Sequence, residues 1–171
     1  MKNIILVGFM GTGKSAVGRA LAKKLKWPFI DLDERIEKEA RCSVAQIFST
    51  EGEAGFRQRE ARAVEKAAKT SLSVIATGGG VMLDQENVRL LKESGTVVCL
   101  TAQPEVIAQR TLASLPSRPL LNGVGISPRE RIEELLKVRA PFYAQADVVI
   151  DTSDKSTQDV VEEIFKNHAP A

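Results

Sequence analysis

A short apolar run at residues 4–7 leads directly into a glycine-rich segment that ends in a lysine and a serine. Residues 8–15 read G-F-M-G-T-G-K-S, which matches the pattern G-x-x-x-x-G-K-[ST]. Beyond them, apolar residues recur at spacings of three and four, which predicts a helix over residues 14–26. A buried strand, this loop and a helix in that order predict a P-loop, and therefore a site for a nucleoside triphosphate.

The residue types in the loop indicate how it would hold phosphate. The backbone of Gly11, Thr12 and Gly13 can approach the phosphate chain closely, and the start of the helix adds roughly half a positive charge. Lys14 can reach the β- and γ-phosphates, and the Ser15 hydroxyl can bind Mg²⁺. The alternative is a glycine-rich turn with an accidental lysine, and the flanking strand and helix weigh against it.

Length and charge restrict the class of protein. The chain has 171 residues, which predicts one domain over 1–171, and its 24 Lys and Arg against 22 Asp and Glu give a net charge of +2. This even balance gives no excess of positive charge of the kind that attracts nucleic acid or a membrane surface. No apolar run is long enough to cross a bilayer, no C-x-x-C pattern joins the two cysteines, and no signal peptide is expected. We expect a cytoplasmic protein whose partners are small molecules.

Apolar segments that alternate with helical patterns predict the fold class. The segments 2–7, 28–31, 73–77, 96–100 and 147–151 have the length of buried strands. Helical patterns lie between and after them, at 14–26, 33–69, 84–93, 104–113, 127–143 and 157–167. This alternation predicts an α/β protein with three α/β/α layers around a five-stranded parallel sheet. Ligands of such sheets bind beyond the carboxyl ends of the strands.

Two segments are irregular enough to suggest a role in binding. The helical pattern from residue 33 breaks at 50–55, so region 33–62 is predicted to form a small subdomain that faces a substrate. Residues 115–125 carry two prolines and two glycines around Arg118, which is typical of a mobile lid over about 112–125. The alternative for this second segment is an ordinary surface loop.

Polar residues and glycines follow the second and third predicted strands. Strand alternation would send Asp31 and Asp33 to the same side, next to the P-loop. One can hold a water of the Mg²⁺ shell, and the other can accept a hydrogen bond from an attacking hydroxyl. A helix cap at Asp33 is an alternative that does not exclude this role. Gly78, Gly79 and Gly80 let a ligand touch the main chain, whereas a plain turn does not need three glycines.

Three arginines, Arg57, Arg118 and Arg139, are candidates for binding an anionic substrate. A guanidinium pairs bidentately with carboxylate or phosphate, which a lysine does not imitate. Each is equally readable as a solvated surface arginine, and the chain contains others. The residue types alone therefore suggest a small, anionic, hydroxylated acceptor only as a hypothesis.

The whole set of motifs resembles the shikimate kinase family, over essentially the full chain. The motifs are G-F-M-G-T-G-K-S, D-L-D, G-E-A-G-F-R, G-G-G, R-P-L-L and R-A-P-F-Y, which begin at residues 8, 31, 52, 78, 118 and 139. The first is shared with many unrelated enzymes, whereas the set in this order and spacing is specific. The resemblance implies a monomeric P-loop protein of the nucleoside monophosphate kinase type. It also implies transfer of the γ-phosphoryl group of ATP to the 3-hydroxyl of shikimate, on the route to chorismate and aromatic amino acids.

The resemblance implies roles for the residues on the acceptor side. Asp33 would hold the shikimate hydroxyls and orient the attacking one. Arg57 and Arg139 would clamp the ring carboxylate, and the glycines at 78–80 would contact the substrate through their backbone.

It also implies how charge and shape are arranged between the substrates. Ser15 would bind Mg²⁺ directly, and Asp31 would support it through water. Arg118 would move in with the lid and neutralise charge on the transferring phosphoryl group. Phe48 and Phe56 would form an apolar wall of the shikimate pocket.

On the nucleotide side, the resemblance places Arg110 and Lys155 beside the adenine ring. Lys155 stands in a loop that varies among relatives, so its contact is the least secure. Ala16 occupies a position where many relatives have a threonine, which would leave a backbone contact to the α-phosphate without a side-chain contact.

Two other classes of protein stay open on the residues themselves. A kinase for gluconate or a nucleoside monophosphate would share the scaffold, although Asp33 and Arg57 together suit a polyol acid better than a nucleotide. A P-loop switch or motor that works by binding partners is the second class. A guanine-specific switch would carry N-K-x-D, which the sequence lacks.

Overall fold

The computed structural model describes residues 2–112 and 127–168. Five strands in these ranges form one sheet in the order β2-β3-β1-β4-β5, and every neighbouring pair is parallel. The strands are β1 Asn3–Val7, β2 Phe29–Asp31, β3 Val74–Ala76, β4 Gly95–Thr101 and β5 Val148–Asp151. The predicted strands and their parallel arrangement are confirmed.

The helices of the described ranges lie between and after the strands, as the alternation predicts. They are α1 Lys14–Leu25, α2 Leu32–Ala40, α3 Val44–Ala68, α4 Gln85–Ser94, α5 Pro104–Thr111, α6 Pro128–Tyr143 and α7 Thr157–His168. A short 3-10 helix, Val81–Leu83, follows the glycines after β3 and has no counterpart in the sequence prediction.

The central strand β1 is buried on both faces, which divides the core into two apolar clusters. Ile5 and Val7 belong to a cluster that includes residues of helices α2 to α6. Ile4 and Leu6 belong to a second cluster, formed with α1 and α7. Alternate residues of a strand point to opposite faces of its sheet, so these two clusters are the layers above and below it. The predicted three-layer architecture is confirmed.

Helix α6 begins with a capped first turn at the start of the helical pattern predicted over 127–143. The Ser127 Oγ accepts a hydrogen bond from Glu130 N at 3.2 Å, and the Glu130 carboxylate accepts one from Ser127 N at 2.8 Å. This capping box, with Pro128 in the first turn, satisfies N–H groups that a helix start otherwise leaves unpaired. The helix continues through Pro141 and ends at Tyr143.

The predicted helix over 33–69 is divided into two. Arg41 has a left-handed backbone with φ of 56° and ends α2, and α3 starts three residues after it. Helix α3 is itself kinked at Gly52, where φ is 70°, inside the predicted break at 50–55. A Cβ on Gly52 would meet no atom within 4 Å, so the glycine is needed for its backbone angle and not for space.

The cap of α2 also corrects the sequence analysis. Asp31 is the cap, because its Oδ1 accepts from Asp33 N at 3.1 Å and from Glu34 N at 3.4 Å. Strand β2 ends at Asp31, so Asp33 lies in the first turn of the helix. The expectation of strand alternation between the two aspartates is therefore wrong, and so is the alternative of a cap at Asp33.

Arg118 and nearly all of the expected lid fall in residues 113–126, outside the described part of the chain. Among the helices that are described, none has the length and apolar character needed to cross a membrane.

Candidate functional site

The loop between β1 and α1 has the backbone geometry of an anion site. Gly8, Gly11 and Gly13 all have positive φ, between 78° and 130°. A Cβ on Gly8 would lie 2.1 Å from the carbonyl oxygen of Leu100, so no other residue fits there. Gly13 precedes α1 and carries no side chain that could cap the helix, which leaves the first-turn N–H groups available to a phosphate.

Side chains within the loop hold it in shape. Lys14 Nζ donates to the carbonyl oxygens of Gly8 and Phe9, each at 2.8 Å. The Thr12 hydroxyl donates to Phe9 O at 2.7 Å. The lysine therefore lies across the concave side of the loop, where a triphosphate would attract it.

Asp31 joins the loop to the neighbouring strand and helix. Its Oδ2 accepts a hydrogen bond from Ser15 Oγ at 2.7 Å, while its Oδ1 caps α2. A hydroxyl and a carboxylate beside a phosphate-binding loop are the oxygen ligands that Mg²⁺ prefers, and Mg²⁺ completes its shell with water and phosphate oxygens. No cluster of three or more His, Cys, Asp or Glu residues suited to a metal occurs within residues 2–112 and 127–168.

A cavity of about 360 Å³ opens beside the P-loop, beyond the carboxyl ends of β1, β2 and β3. It brings together the residues that the sequence analysis placed on the acceptor side and at the metal. These are Ser15, Asp31, Asp33, Phe48, Phe56, Arg57, Gly78, Gly79, Gly80 and Arg139.

The kink at Gly52 shapes the apolar wall of this cavity. Phe48 and Phe56 lie on opposite sides of the kink, and their ring centroids are 4.8 Å apart. Eight residues of straight helix would separate them by about 12 Å along the axis. The glycine thus lets one helix present two aromatic rings to one pocket.

Asp33 is the carboxylate most affected by its surroundings. Burial, with a further contribution from Asp31, raises the pKa of Asp33 to about 6, although Lys14 and Arg57 oppose the shift. Its Oδ1 is buried and has no hydrogen-bond partner among the described residues. A buried acceptor that faces a cavity and lacks a donor is suited to a ligand hydroxyl.

Glu60 is a site residue that the sequence analysis missed. It is 1 % exposed, and its Oε2 accepts from Arg57 Nη1 at 2.6 Å. Burial raises the pKa of Glu60, and the Arg57 guanidinium opposes that effect. Its Oε1 has no partner among the described residues, and it lies 2.7 Å from where a Cβ on Gly78 would stand. The spacing of three residues between Arg57 and Glu60 on a helix was the available signal.

Arg139 and Tyr143 meet the glycine loop after β3. Arg139 Nη1 and the Tyr143 hydroxyl both donate to Gly79 O, at 3.2 Å and 2.6 Å. The Arg139 guanidinium also lies over the Phe9 ring, 5.4 Å from its centroid. Tyr143 appeared in the R-A-P-F-Y motif without a role, and the spacing of one helical turn from Arg139 was the signal for it.

A second cavity of about 240 Å³ lies along the P-loop and the start of α1. Its lining residues are Thr12, Gly13, Ala16, Val17, Arg110, Thr152, Lys155, Thr157 and Val160. Arg110 Nη2 donates to Thr152 O at 2.9 Å, and Lys155 Nζ pairs with Glu163 Oε2 at 2.6 Å. Arg110 and Lys155, the two residues expected beside adenine, thus share one cavity with the phosphate loop. Thr152 was not anticipated there.

A P-loop that separates a nucleotide-sized cavity from a pocket with buried carboxylates and arginines defines a P-loop kinase of small molecules. The shikimate kinase family model matches residues 10–169. The chain belongs to the shikimate kinase family.

Individual relatives agree with this assignment. The chain is 48 % identical over 166 residues to shikimate kinase of Caldanaerobacter subterraneus subsp. tengcongensis, which covers 97 % of this chain and 95 % of that protein. It is 51 % identical over 165 residues to shikimate kinase of Pelotomaculum thermopropionicum, and the match covers 96 % of this chain and 94 % of that protein. The solved structure of shikimate kinase from Acinetobacter baumannii in complex with shikimate superimposes with a TM-score of 0.91 at 38 % identity, covering 97 % of this chain and 92 % of that one.

Proposed function

We propose that this chain transfers the γ-phosphoryl group of ATP to the 3-hydroxyl of shikimate, which gives shikimate 3-phosphate and ADP for chorismate and aromatic amino-acid synthesis. The observation that carries this is one cavity in which Asp33, Arg57 and Arg139 face a space that reaches Ser15 of the P-loop. Guanidinium groups can pair with the carboxylate of a ring acid, and a carboxylate oxygen of the protein can accept hydrogen bonds from its hydroxyls.

Asp33 orients the attacking hydroxyl. Its pKa of about 6 leaves it mostly ionised at neutral pH, so it accepts the hydroxyl hydrogen and can take the proton late in the transfer. Phosphoryl transfer through a loose transition state depends mainly on positioning, so a strong base is not required.

The two arginines bind the carboxylate of the substrate. Arg57 is held by Glu60 and by Glu53, whose Oε1 accepts from Arg57 Nη2 at 3.1 Å. Arg57 is therefore held in place before the substrate arrives, whereas Arg139 donates to Gly79 O, an acceptor that a substrate carboxylate can replace. Backbone of the glycines at 78–80 and the rings of Phe48 and Phe56 complete the pocket.

The donor side consists of the P-loop, Lys14 and the second cavity, where Arg110 and Lys155 flank adenine. Mg²⁺ fits the oxygen pair of Ser15 and Asp31, with Ser15 as a direct ligand and Asp31 acting through water. When bound, the ion neutralises charge on the β- and γ-phosphates.

Further parts of the proposal follow from the family. The lid over about 112–125 brings Arg118 to the transferring phosphoryl group, and its closure excludes water from the reaction. Region 33–62 is the acceptor-binding part of a single domain. The protein acts as a monomer in the cytoplasm, without nucleic acid or membrane partners.

A coupled assay of ADP release tests the acceptor. We expect strong stimulation by shikimate and none by gluconate or by adenosine, guanosine or uridine monophosphate. Release of ADP that shikimate does not stimulate above the background ATPase rate would overturn the proposal. A slow ATPase accelerated only by a protein partner would favour the class of P-loop switches instead.

A further inference from the structure

The carbonyl of Gly79 receives two hydrogen bonds of unequal length. The Tyr143 hydroxyl donates to it at 2.6 Å, and Arg139 Nη1 donates to it at 3.2 Å. Tyr143 is 7 % exposed, and burial raises its pKa to about 12, with Arg139 opposing the shift. The hydroxyl is therefore a permanent donor at any pH at which the enzyme works.

Gly79 lines the acceptor cavity on the side of the P-loop. A Cβ on it would stand 3.4 Å from Met10 N, 3.6 Å from Gly8 O and 3.4 Å from Arg139 Nη1. The glycine loop thus lies close to the backbone of the P-loop, and its carbonyl accepts hydrogen bonds from α6. Both donors to this carbonyl come from that helix, one turn apart.

These contacts create competition for Arg139. Gly79 is half-buried, and a carbonyl that loses its donor there costs up to about 1–3 kcal/mol, so Gly79 O competes with a ligand for the donors beside it. A substrate carboxylate is a stronger, charged acceptor for the same guanidinium. Arg139 can turn its N–H groups fully to the carboxylate only if another group keeps the carbonyl satisfied.

We propose that Tyr143 is a positioning residue for acceptor binding, whose hydroxyl holds the Gly79 carbonyl and so releases Arg139 to the substrate carboxylate. This inference rests on the proposed role of Arg139. Without the hydroxyl, the carbonyl holds Arg139 Nη1 and the guanidinium meets the carboxylate with fewer N–H groups.

The test is Tyr143→Phe, assayed with shikimate and ATP varied separately. We expect KM for shikimate to rise about five- to tenfold, which corresponds to the loss of one hydrogen bond of roughly 1 kcal/mol. We expect kcat and KM for ATP to stay within twofold of the wild type. The ratio of KM between variant and wild type is expected to be constant from pH 6.5 to 9, because the hydroxyl does not titrate there. An unchanged KM for shikimate, or equal rises in both KM values, overturns the inference.

A double-mutant cycle separates positioning from general destabilisation. Since Tyr143 acts through Arg139, adding Tyr143→Phe to Arg139→Lys should raise KM for shikimate much less than it does in the wild type. If the increases in KM for shikimate caused by the two substitutions multiply in the double variant, the two residues act independently and the inference is overturned. The matched control is Thr70→Val, which removes a hydroxyl that donates to a carbonyl, Ala67 O, at 2.7 Å near the amino end of β1. Its kinetics should match the wild type.

Two unnatural side chains distinguish the loss of the hydrogen bond from a folding defect in Tyr143→Phe. Replacing Tyr143 with 4-aminophenylalanine keeps a donor at the same position, whereas 4-methylphenylalanine fills the volume without one. The first should keep KM for shikimate within twofold of the wild type, and the second should raise it as Phe does. Equal KM values for these two variants overturn the inference. A wild type that shikimate does not stimulate would contradict the proposed function and not this role of Tyr143.

Discussion

The buried charge of Asp33 is expected to destabilise the free protein, so that Asp33→Asn should be inactive and yet more stable at neutral pH. Burial, together with Asp31, raises the pKa of Asp33 from its ordinary value of 3.8 to about 6. A carboxyl whose pKa is raised by folding contributes most to stability when it is protonated. That contribution is complete below pH 3.8 and is lost as the pH rises through about 6.

The size of the effect follows from the same pKa change. It corresponds to about 3 kcal/mol over the whole titration, of which about 2 kcal/mol falls between pH 4.5 and pH 8. Asn does not titrate, and its amide supplies a donor near the unpartnered Oε1 of Glu60. The advantage of Asp33→Asn over the wild type should therefore grow by about 2 kcal/mol across this pH range.

Urea unfolding of both proteins at half-unit pH steps measures this difference directly. The control is Asp154→Asn, because Asp154 is an exposed carboxylate in the loop between β5 and α7. Its stability relative to the wild type should stay within about 0.5 kcal/mol at every pH. A difference between Asp33→Asn and the wild type that does not change with pH would show that Asp33 carries no raised pKa.

Three further results are expected from the site. Arg57→Lys should raise KM for shikimate at least about tenfold and KM for ATP less than about twofold, because an ammonium group does not replace a bidentate guanidinium. Steady-state kinetics measure both KM values, with Arg59→Lys as the control because Arg59 pairs with Glu51. Equal effects of Arg57→Lys on the two substrates would contradict this expectation. Lys14→Ala should lower kcat at least about a hundredfold with an unchanged circular dichroism spectrum, and near-normal turnover would discard the P-loop role. Finally, kcat/KM for shikimate should fall as the pH drops below about 6, where Asp33 becomes protonated and no longer accepts the hydroxyl hydrogen; a flat profile from pH 5 to pH 8 would refute this.

The parts of the fold that follow from local pattern were predictable. Each strand is a short apolar run, and the central one is buried on both faces, so periodicity and length identify it. The P-loop was equally predictable, because the positive φ of Gly8 and Gly13 requires glycine and the sequence has glycine at both positions.

The division of the long helix was not predictable from residue type. Arg41 adopts a left-handed conformation that arginine seldom takes, so its identity gave no sign of a helix end. The break at Gly52 was predictable because a glycine marked it. The position of Asp33 in a helical turn depended on where β2 stops, which is decided by the capping bonds of Asp31.

The missed site residues share one property, which is that tertiary packing gives them their role. Glu60 looks like one of many acids on a helix until α3 packs against Gly78 and buries it. Tyr143 becomes a donor to Gly79 O only because α6 packs against the glycine loop, although the two residues are 64 positions apart in the chain. The helical spacing from Arg57 and Arg139 marks these two residues as neighbours of the arginines, but their contacts with Gly78 and Gly79 depend on the assembled sheet.

The close approach of Gly79 to the P-loop backbone separates two properties of the enzyme. The acceptor cavity borders the P-loop through main chain, because a Cβ on Gly79 would lie 3.4 Å from Met10 N and 3.6 Å from Gly8 O. The preference for an acceptor resides instead in the replaceable side chains of α3 and α6. Selection or engineering can therefore exchange the acid that is phosphorylated through α3 and α6 while this backbone border stays the same, and the spacing at position 79 still leaves room for one methyl group.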